Sequence, residues 1–184
     1  MNKTPQTEFQ RIFLINGLPE PLTPASGHLQ IFDNYIEGTR FRLRLMRDPH
    51  TKVWTRILQQ RSEFTDGKQA VINLSEMYLN DVEYGLFERL RGREIRKNRY
   101  FHEFDQIEWK FDIYLGEPRG LMIAKADLAS AEQAADLIPP PFALIEITND
   151  PFFAGGNLVE KNFSEIRTKM EQVANHEQQQ IIDR

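Results

Sequence analysis

The stretch Arg40-Phe41-Arg42-Leu43-Arg44-Leu45 alternates cation and apolar residue without a break. A period of two is the side-chain repeat of a β-strand. It sets Arg40, Arg42 and Arg44 on one face and Phe41, Leu43 and Leu45 on the other. Three guanidinium groups stacked on one face repel one another and must be compensated by carboxylates, water or a bound anion. The planar fork of donors on arginine suits phosphate oxygens. On an ordinary antiparallel sheet such a face is simply solvated, so the rest of the chain decides between the two.

Further segments share the period. Strands are predicted over 8–15, 29–35, 53–61, 71–79, 93–101, 107–115, 121–128 and 143–148, with the arginine strand ending near Asp48-Pro49. In the first strand Phe9, Arg11, Phe13 and Ile15 share one face, and Glu8, Gln10, Ile12 and Leu14 the other. In 107–115, Trp109, Phe111 and Ile113 alternate with Lys110, Asp112 and Tyr114. Asn16-Gly17 with Pro19, Pro21 and Pro24 predicts a loop, and Asp66-Gly67 predicts a turn. Asn80 caps a helix with Glu83 in the capping-box position. Val82, Leu86 and Leu90 form its apolar stripe, and Gly92 closes it. Ser130 caps a second helix that stops before Pro139-Pro140-Pro141. A third runs over about 162–184, with a narrow stripe of Phe163, Ile166, Met170 and Val173.

These elements predict an α+β fold: an eight-stranded, mostly antiparallel β-barrel with helices packed outside and a C-terminal helix. The chain reads as a single domain over 1–184, with the barrel at about 8–158 and the C-terminal helix at about 162–184. At 184 residues, 40% hydrophobic and 27% charged, it has the make-up of an ordinary globular domain. No apolar run is long enough to span a membrane, and no secretory h-region opens the chain. Cysteine is absent, which removes disulfide and thiolate chemistry. The expected location is therefore the cytoplasm. His28, His50, His102 and His176 lack metal-ligand spacing, and Trp54 and Trp109 read as packing residues.

The charge is unevenly placed. The polar strand faces carry Arg40, Arg42, Arg44, Arg61, Lys97, Arg99, Lys110 and Lys125 against Glu8, Glu76, Asp112, Asp127 and Glu146. That is a cationic surplus in a chain whose net charge is -4. An acidic chain argues against a nucleic-acid partner. Curled inward, the same faces would line a tunnel in which poorly screened cations draw a polyanion.

Seven pieces in order resemble the CYTH family, the triphosphate tunnel metalloenzymes. Glu8-Phe9-Gln10-Arg11-Ile12-Phe13-Leu14 is similar to the family's E-x-E-R-K-F-L opening. Phe41-Arg42-Leu43-Arg44 resembles its R-x-R strand, and Leu58-Gln59-Gln60-Arg61 its strand ending in a lysine. Arg96-Lys97-Asn98-Arg99-Tyr100 resembles K-x-R-Y, and Phe111-Asp112-Ile113-Tyr114-Leu115-Gly116 resembles D-x-F-x-G. The stretch 121–128, with Lys125 and Asp127, stands where the family has E-x-E, and Glu146-Ile147-Thr148-Asn149-Asp150 resembles E-V-T-x-D.

The resemblance implies a tunnel that holds triphosphate groups and, in family members, hydrolyses triphosphates or cyclises ATP with Mg²⁺ or Mn²⁺. It implies triphosphate binding by Arg42, Arg44, Arg61, Lys97 and Arg99, with Lys125 added. Glu8, Asp112, Asp127 and Glu146 are the implied metal ligands, and Gln10, Arg40, Glu76 and Lys110 line the tunnel. The departures fall on the metal side. Gln10 and Lys125 stand where the family has glutamates, Ile12 where it has lysine, and Asp127 is a shortened carboxylate. Weak Mg²⁺ or Mn²⁺ binding is the expectation. The expected function is binding of a triphosphate-bearing anion or nucleotide with weak or no turnover. The alternative is an active metal-dependent triphosphatase or cyclase with a rearranged site. A homodimer is compatible with either.

Overall fold

A computed structural model describes the backbone of residues 3–66 and 69–182 and, within it, the side chains of 9–62, 73–173 and 175. The side chains of Glu8 and His176 and part of the Asp66-Gly67 turn therefore lie outside the described residues.

Nine strands form one antiparallel sheet: β1 (Lys3–Leu14), β2 (His28–Ile36), β3 (Phe41–Arg47), β4 (Trp54–Asp66), β5 (Gln69–Tyr78), β6 (Gly92–Phe104), β7 (Ile107–Leu115), β8 (Met122–Leu128) and β9 (Ile145–Glu146). Their spatial order is β5-β4-β3-β2-β6-β7-β8-β1-β9. Most neighbours in space are neighbours in sequence, because short turns can join only antiparallel strands. One such turn, Asp105-Gln106, has both residues at positive φ (54° and 61°), the twist that suits a two-residue hairpin between β6 and β7.

The sheet curls strongly. β1 pairs with β5 from Lys3 to Gln10 and with β8 from Phe9 to Leu14, so the two ladders overlap only at Phe9 and Gln10. The expected eight-stranded, mostly antiparallel β-barrel is thus corrected to a nine-stranded curled sheet in which β5 and β8 both pair with β1 without closing a full barrel. The predicted strand over 143–148 shrinks to Ile145–Glu146, flanked by backbone hydrogen bonds from Leu144 to Leu14 and from Ile147 to Ile12.

Helices are few: α1 (Asp81–Phe87), α2 (Ala131–Asp136), α3 (Gly155–Leu158) and α4 (Phe163–Ile182), with a 3-10 turn at Pro151–Phe153. Both predicted caps form. Asn80 and Glu83 make a reciprocal capping box, and the Ser130 hydroxyl accepts from the Gln133 amide. The α1 stripe is a correction. Val82, Leu86 and Leu90 are exposed, and no residue of α1 is buried. The helix ends at Phe87, and Gly92 opens β6 instead of closing the helix.

Alternation along the strands separates the two faces of the sheet. The convex face carries Phe13, Tyr100, Trp109 and Phe111, packed under α2 and the segment 137–143, where Phe142 meets Trp109 and Phe111 edge-on at 5.2 Å. Each such side chain stabilises by about 1.5–3 kcal/mol on burial. A second cluster joins Leu14, Ile95, Tyr114 and Ile123 to Ile147, Phe153, Leu158 and Ile166. It seats 147–158 and α4 across one end of the concave face. No helix among the described residues is long and apolar enough to cross a membrane.

Candidate anion site on the concave face

Side chains from seven strands converge on one cavity of about 250 Å³: Ile12, Tyr35, Arg42, Arg61, Lys97, Tyr114 and Lys125, floored by residues 147–157. A second cavity of about 250 Å³ adds Gln10, Arg44, Gln59, Glu76, Arg99, Lys110 and Asp127. Arg42, Arg61, Lys97 and Lys125 line both, so four cations form the waist between them. The floor fits closely: a Cβ on Gly155 would lie 1.8 Å from the Tyr35 hydroxyl, so only glycine lets the two meet.

Two carboxylates anchor this wall, and neither has any solvent exposure. Asp33 on β2 accepts from Arg44 Nε at 2.6 Å and Nη2 at 2.8 Å, with Arg42 Nη1 at 3.6 Å and Lys97 Nζ at 3.8 Å. Asp112 on β7 accepts from Arg99 Nε at 2.6 Å, Arg99 Nη2 at 2.7 Å and Lys97 Nζ at 2.9 Å. Burial alone would raise both carboxyls, but the facing cations overrule it and hold them below the usual carboxylate range. Arg42 also donates to Gln59 Oε1 at 2.7 Å and to the Tyr35 hydroxyl at 3.2 Å. Burial pulls the Lys97 ammonium well down, with Arg99 and Lys125 adding to the fall and Asp112 opposing it. Burial likewise pulls the Lys125 ammonium down to about 8, with Arg61, Arg99 and Arg42 adding to the fall and Asp112, 4.0 Å away, opposing it.

The fold therefore brings together Arg42, Arg44, Arg61, Lys97, Arg99, Lys110, Lys125, Gln10, Glu76, Asp112 and Asp127. It does not bring in Arg40 or Glu146. Arg40 lies in the exposed β2–β3 turn, where Gly38 at φ 69° and the Thr39 side chain end the pairing before β3 begins at Phe41. Glu146 pairs with Arg11, which donates to both of its oxygens at 2.5 and 2.8 Å. Arg11 points away from Gln10 and Ile12, toward the backbone carbonyls of Ala134 and Leu137. The alternation of β1 thus sends Glu146 to the convex side. Sequence reasoning missed Asp33, Tyr35 and Gln59, and left Tyr114 without a role. The signal for Asp33 was an acid in phase with Leu29, Ile31 and Tyr35, on an otherwise apolar face of its strand.

The described side chains do not fit a divalent-metal centre. Such an ion needs several oxygen ligands at about 2.0–2.6 Å. Asp112 is saturated by Arg99 and Lys97, and Asp127 accepts from Lys110 and from Gln10 Nε2. Glu76 accepts from Gln59 Nε2, and Glu146 faces the other way. Among the described residues no three acidic or imidazole groups gather. Asp33, Asp112, Asp127 and Glu146 serve as counter-ions.

No family model matches the chain. A 74-residue stretch is 38% identical to an inorganic triphosphatase of Acetivibrio thermocellus, covering 39% of this chain and 46% of that protein, so the match spans about half of that relative. Identity to an inorganic triphosphatase of Nitrosomonas europaea is 25% over 150 residues, 78% of this chain and 91% of that one. The solved structure of the inorganic triphosphatase NE1496 superposes with a TM-score of 0.56 at 18% identity, covering 84% of this chain and 95% of that one. The chain is similar in sequence to inorganic triphosphatases and shares their fold, which supports the family resemblance drawn from its strands.

Proposed function

We propose that the chain binds a triphosphate-bearing anion on its concave face, with weak or no turnover. The observation that carries this reading is the waist of four cations, Arg42, Arg61, Lys97 and Lys125, reached by both cavities. Counted among the described residues with every group ionised, seven cations face Asp33, Glu76, Asp112, Asp127 and Asp150, a surplus of two positive charges. A surplus held in a confined space attracts a polyanion far more than the same charges do in water. In this reading the curled sheet acts as a tunnel over about 8–158, the ligand is inorganic triphosphate or a nucleoside triphosphate, and the protein works in the cytoplasm.

The names of both curated relatives favour a second reading, an active triphosphatase. Phosphoryl transfer depends on charge neutralisation and on an oriented nucleophile. The surplus cations meet the first need, whereas every described carboxylate on this face already carries a hydrogen bond from a neighbour. Calorimetry with inorganic triphosphate and with ATP, followed by a phosphate-release assay, separates the readings. The proposal expects binding with release far below about 1 per second, the lower end of common enzyme turnover. Turnover at or above that rate establishes the second reading.

A further inference from the structure

We propose that the ligand is taken as the metal-free polyanion and that Mg²⁺ or Mn²⁺ weakens its binding. This rests on the reading of the concave face as a polyphosphate site, and deepens it by naming the ionic form that the site accepts.

Among the described residues, the carboxylates that could hold a metal are committed elsewhere. Asp33 and Asp112 are fully buried, and each accepts two hydrogen bonds from a single arginine. Freeing either acid for a metal would strand buried guanidinium groups, which is among the costliest changes a protein interior can undergo. Asp127 is held from two sides, by the Lys110 ammonium and the Gln10 amide.

The space itself repels a cation. A divalent ion entering between the two cavities would meet Arg42, Arg61, Lys97 and Lys125 together. At short range in a poorly screened space such like charges weigh heavily. The cations also do a metal's electrostatic work. Lys125 lies 4.0 Å from Asp112, the nearest acid among the described residues and one already claimed by Arg99 and Lys97, so its ammonium can turn to a phosphate oxygen. Chelation has the opposite effect on the ligand. A bound divalent ion cancels part of the negative charge that the cations are placed to meet, and it occupies the same non-bridging oxygens.

The test is calorimetric titration of the full chain with inorganic triphosphate, first in EDTA and then with Mg²⁺ raised until most of the ligand is chelated. Ionic strength is matched with a monovalent salt. The expected result is measurable binding in EDTA, no heat from Mg²⁺ alone, and an apparent Kd at least about tenfold higher with chelated ligand. A Kd that Mg²⁺ lowers or leaves unchanged overturns the inference while leaving a polyphosphate site in place. Absence of binding under both conditions overturns the functional reading itself, and this inference with it. The variant Lys125→Glu adds a second arm. It should weaken binding in EDTA and narrow or reverse the Mg²⁺ effect, and an unaltered Mg²⁺ effect counts against the inference. The native chain alone is decisive if the variant does not fold.

Discussion

The two walls of the concave face hold their charges differently. On β2, β3, β6 and β7, Arg44, Lys97 and Arg99 lock onto two acids without solvent exposure, and the hydrogen bonds to those acids are 2.6–2.9 Å long. On β1, β4, β5 and β8 the charged groups Arg61, Glu76, Lys125 and Asp127 keep partial exposure. The first wall is a scaffold, because Arg44 and Arg99 are each fixed by a fork they cannot leave without stranding a charge. The second wall has room to rearrange when an anion arrives. Arg44 and Lys125 are both cations of this face. Their partners separate them, one neutralised in place and the other held 4.0 Å from a shared acid.

The sharpest break in this comparison is Asp112→Asn. It leaves Arg99 and Lys97 buried without their counter-charge and should cost about 3–5 kcal/mol of stability, read from chemical denaturation. A loss below about 1 kcal/mol would mean that this wall is hydrated and no different from the other. Next in size, Arg42→Ala removes a waist donor while Arg44 still holds Asp33. Triphosphate affinity measured by calorimetry should fall by about 1.5–3 kcal/mol, roughly 10- to 150-fold.

The softer wall should show in pH. Lys125 has been pulled from 10.5 to about 8, so it is protonated at neutral pH and loses its charge as pH rises through about 8. Polyanion affinity should fall above that point, by up to about tenfold per pH unit. Stability should move the opposite way. The unfolded lysine binds its proton up to about 10.5, so carrying the charge costs the fold below about 8, and that cost is relieved between about 8 and 10.5. Titrations at several pH values, with denaturation curves beside them, check both signs. The smallest effect belongs to Arg40→Ala. In an exposed turn it should change stability by no more than about 0.5 kcal/mol and leave affinity within about twofold. A loss like that of Arg42→Ala would return Arg40 to the site.

The strands and their faces were legible in the sequence because side chains on a strand alternate regardless of its partners. Lys110, Asp112 and Tyr114 turn inward and Trp109 and Phe111 outward, as their period requires. The capped starts of α1 and α2 were legible for a similarly local reason, since a side chain reaches its own backbone three residues on. The cationic character of the face followed from counting along that alternation.

Only the tertiary structure decided which charge meets which. Asp33 is 11 residues from Arg44, and Asp112 is 13 from Arg99; no local pattern sets those distances. Strand register sets them, and register depends on the packing of the whole sheet. Glu146 read as an inward acid until its partner, 135 residues earlier on Arg11, proved to lie on the other side of β1. The exposed stripe of α1 shows the same limit. Amphipathic spacing states which side of a helix is apolar, while the presence of something to cover it is a property of the fold. The sequence by itself determined a strand-rich chain with an inward cationic face. The fold decided that Asp33 and Asp112 would neutralise arginines, because a carboxylate buried between cations is most stable as their counter-ion.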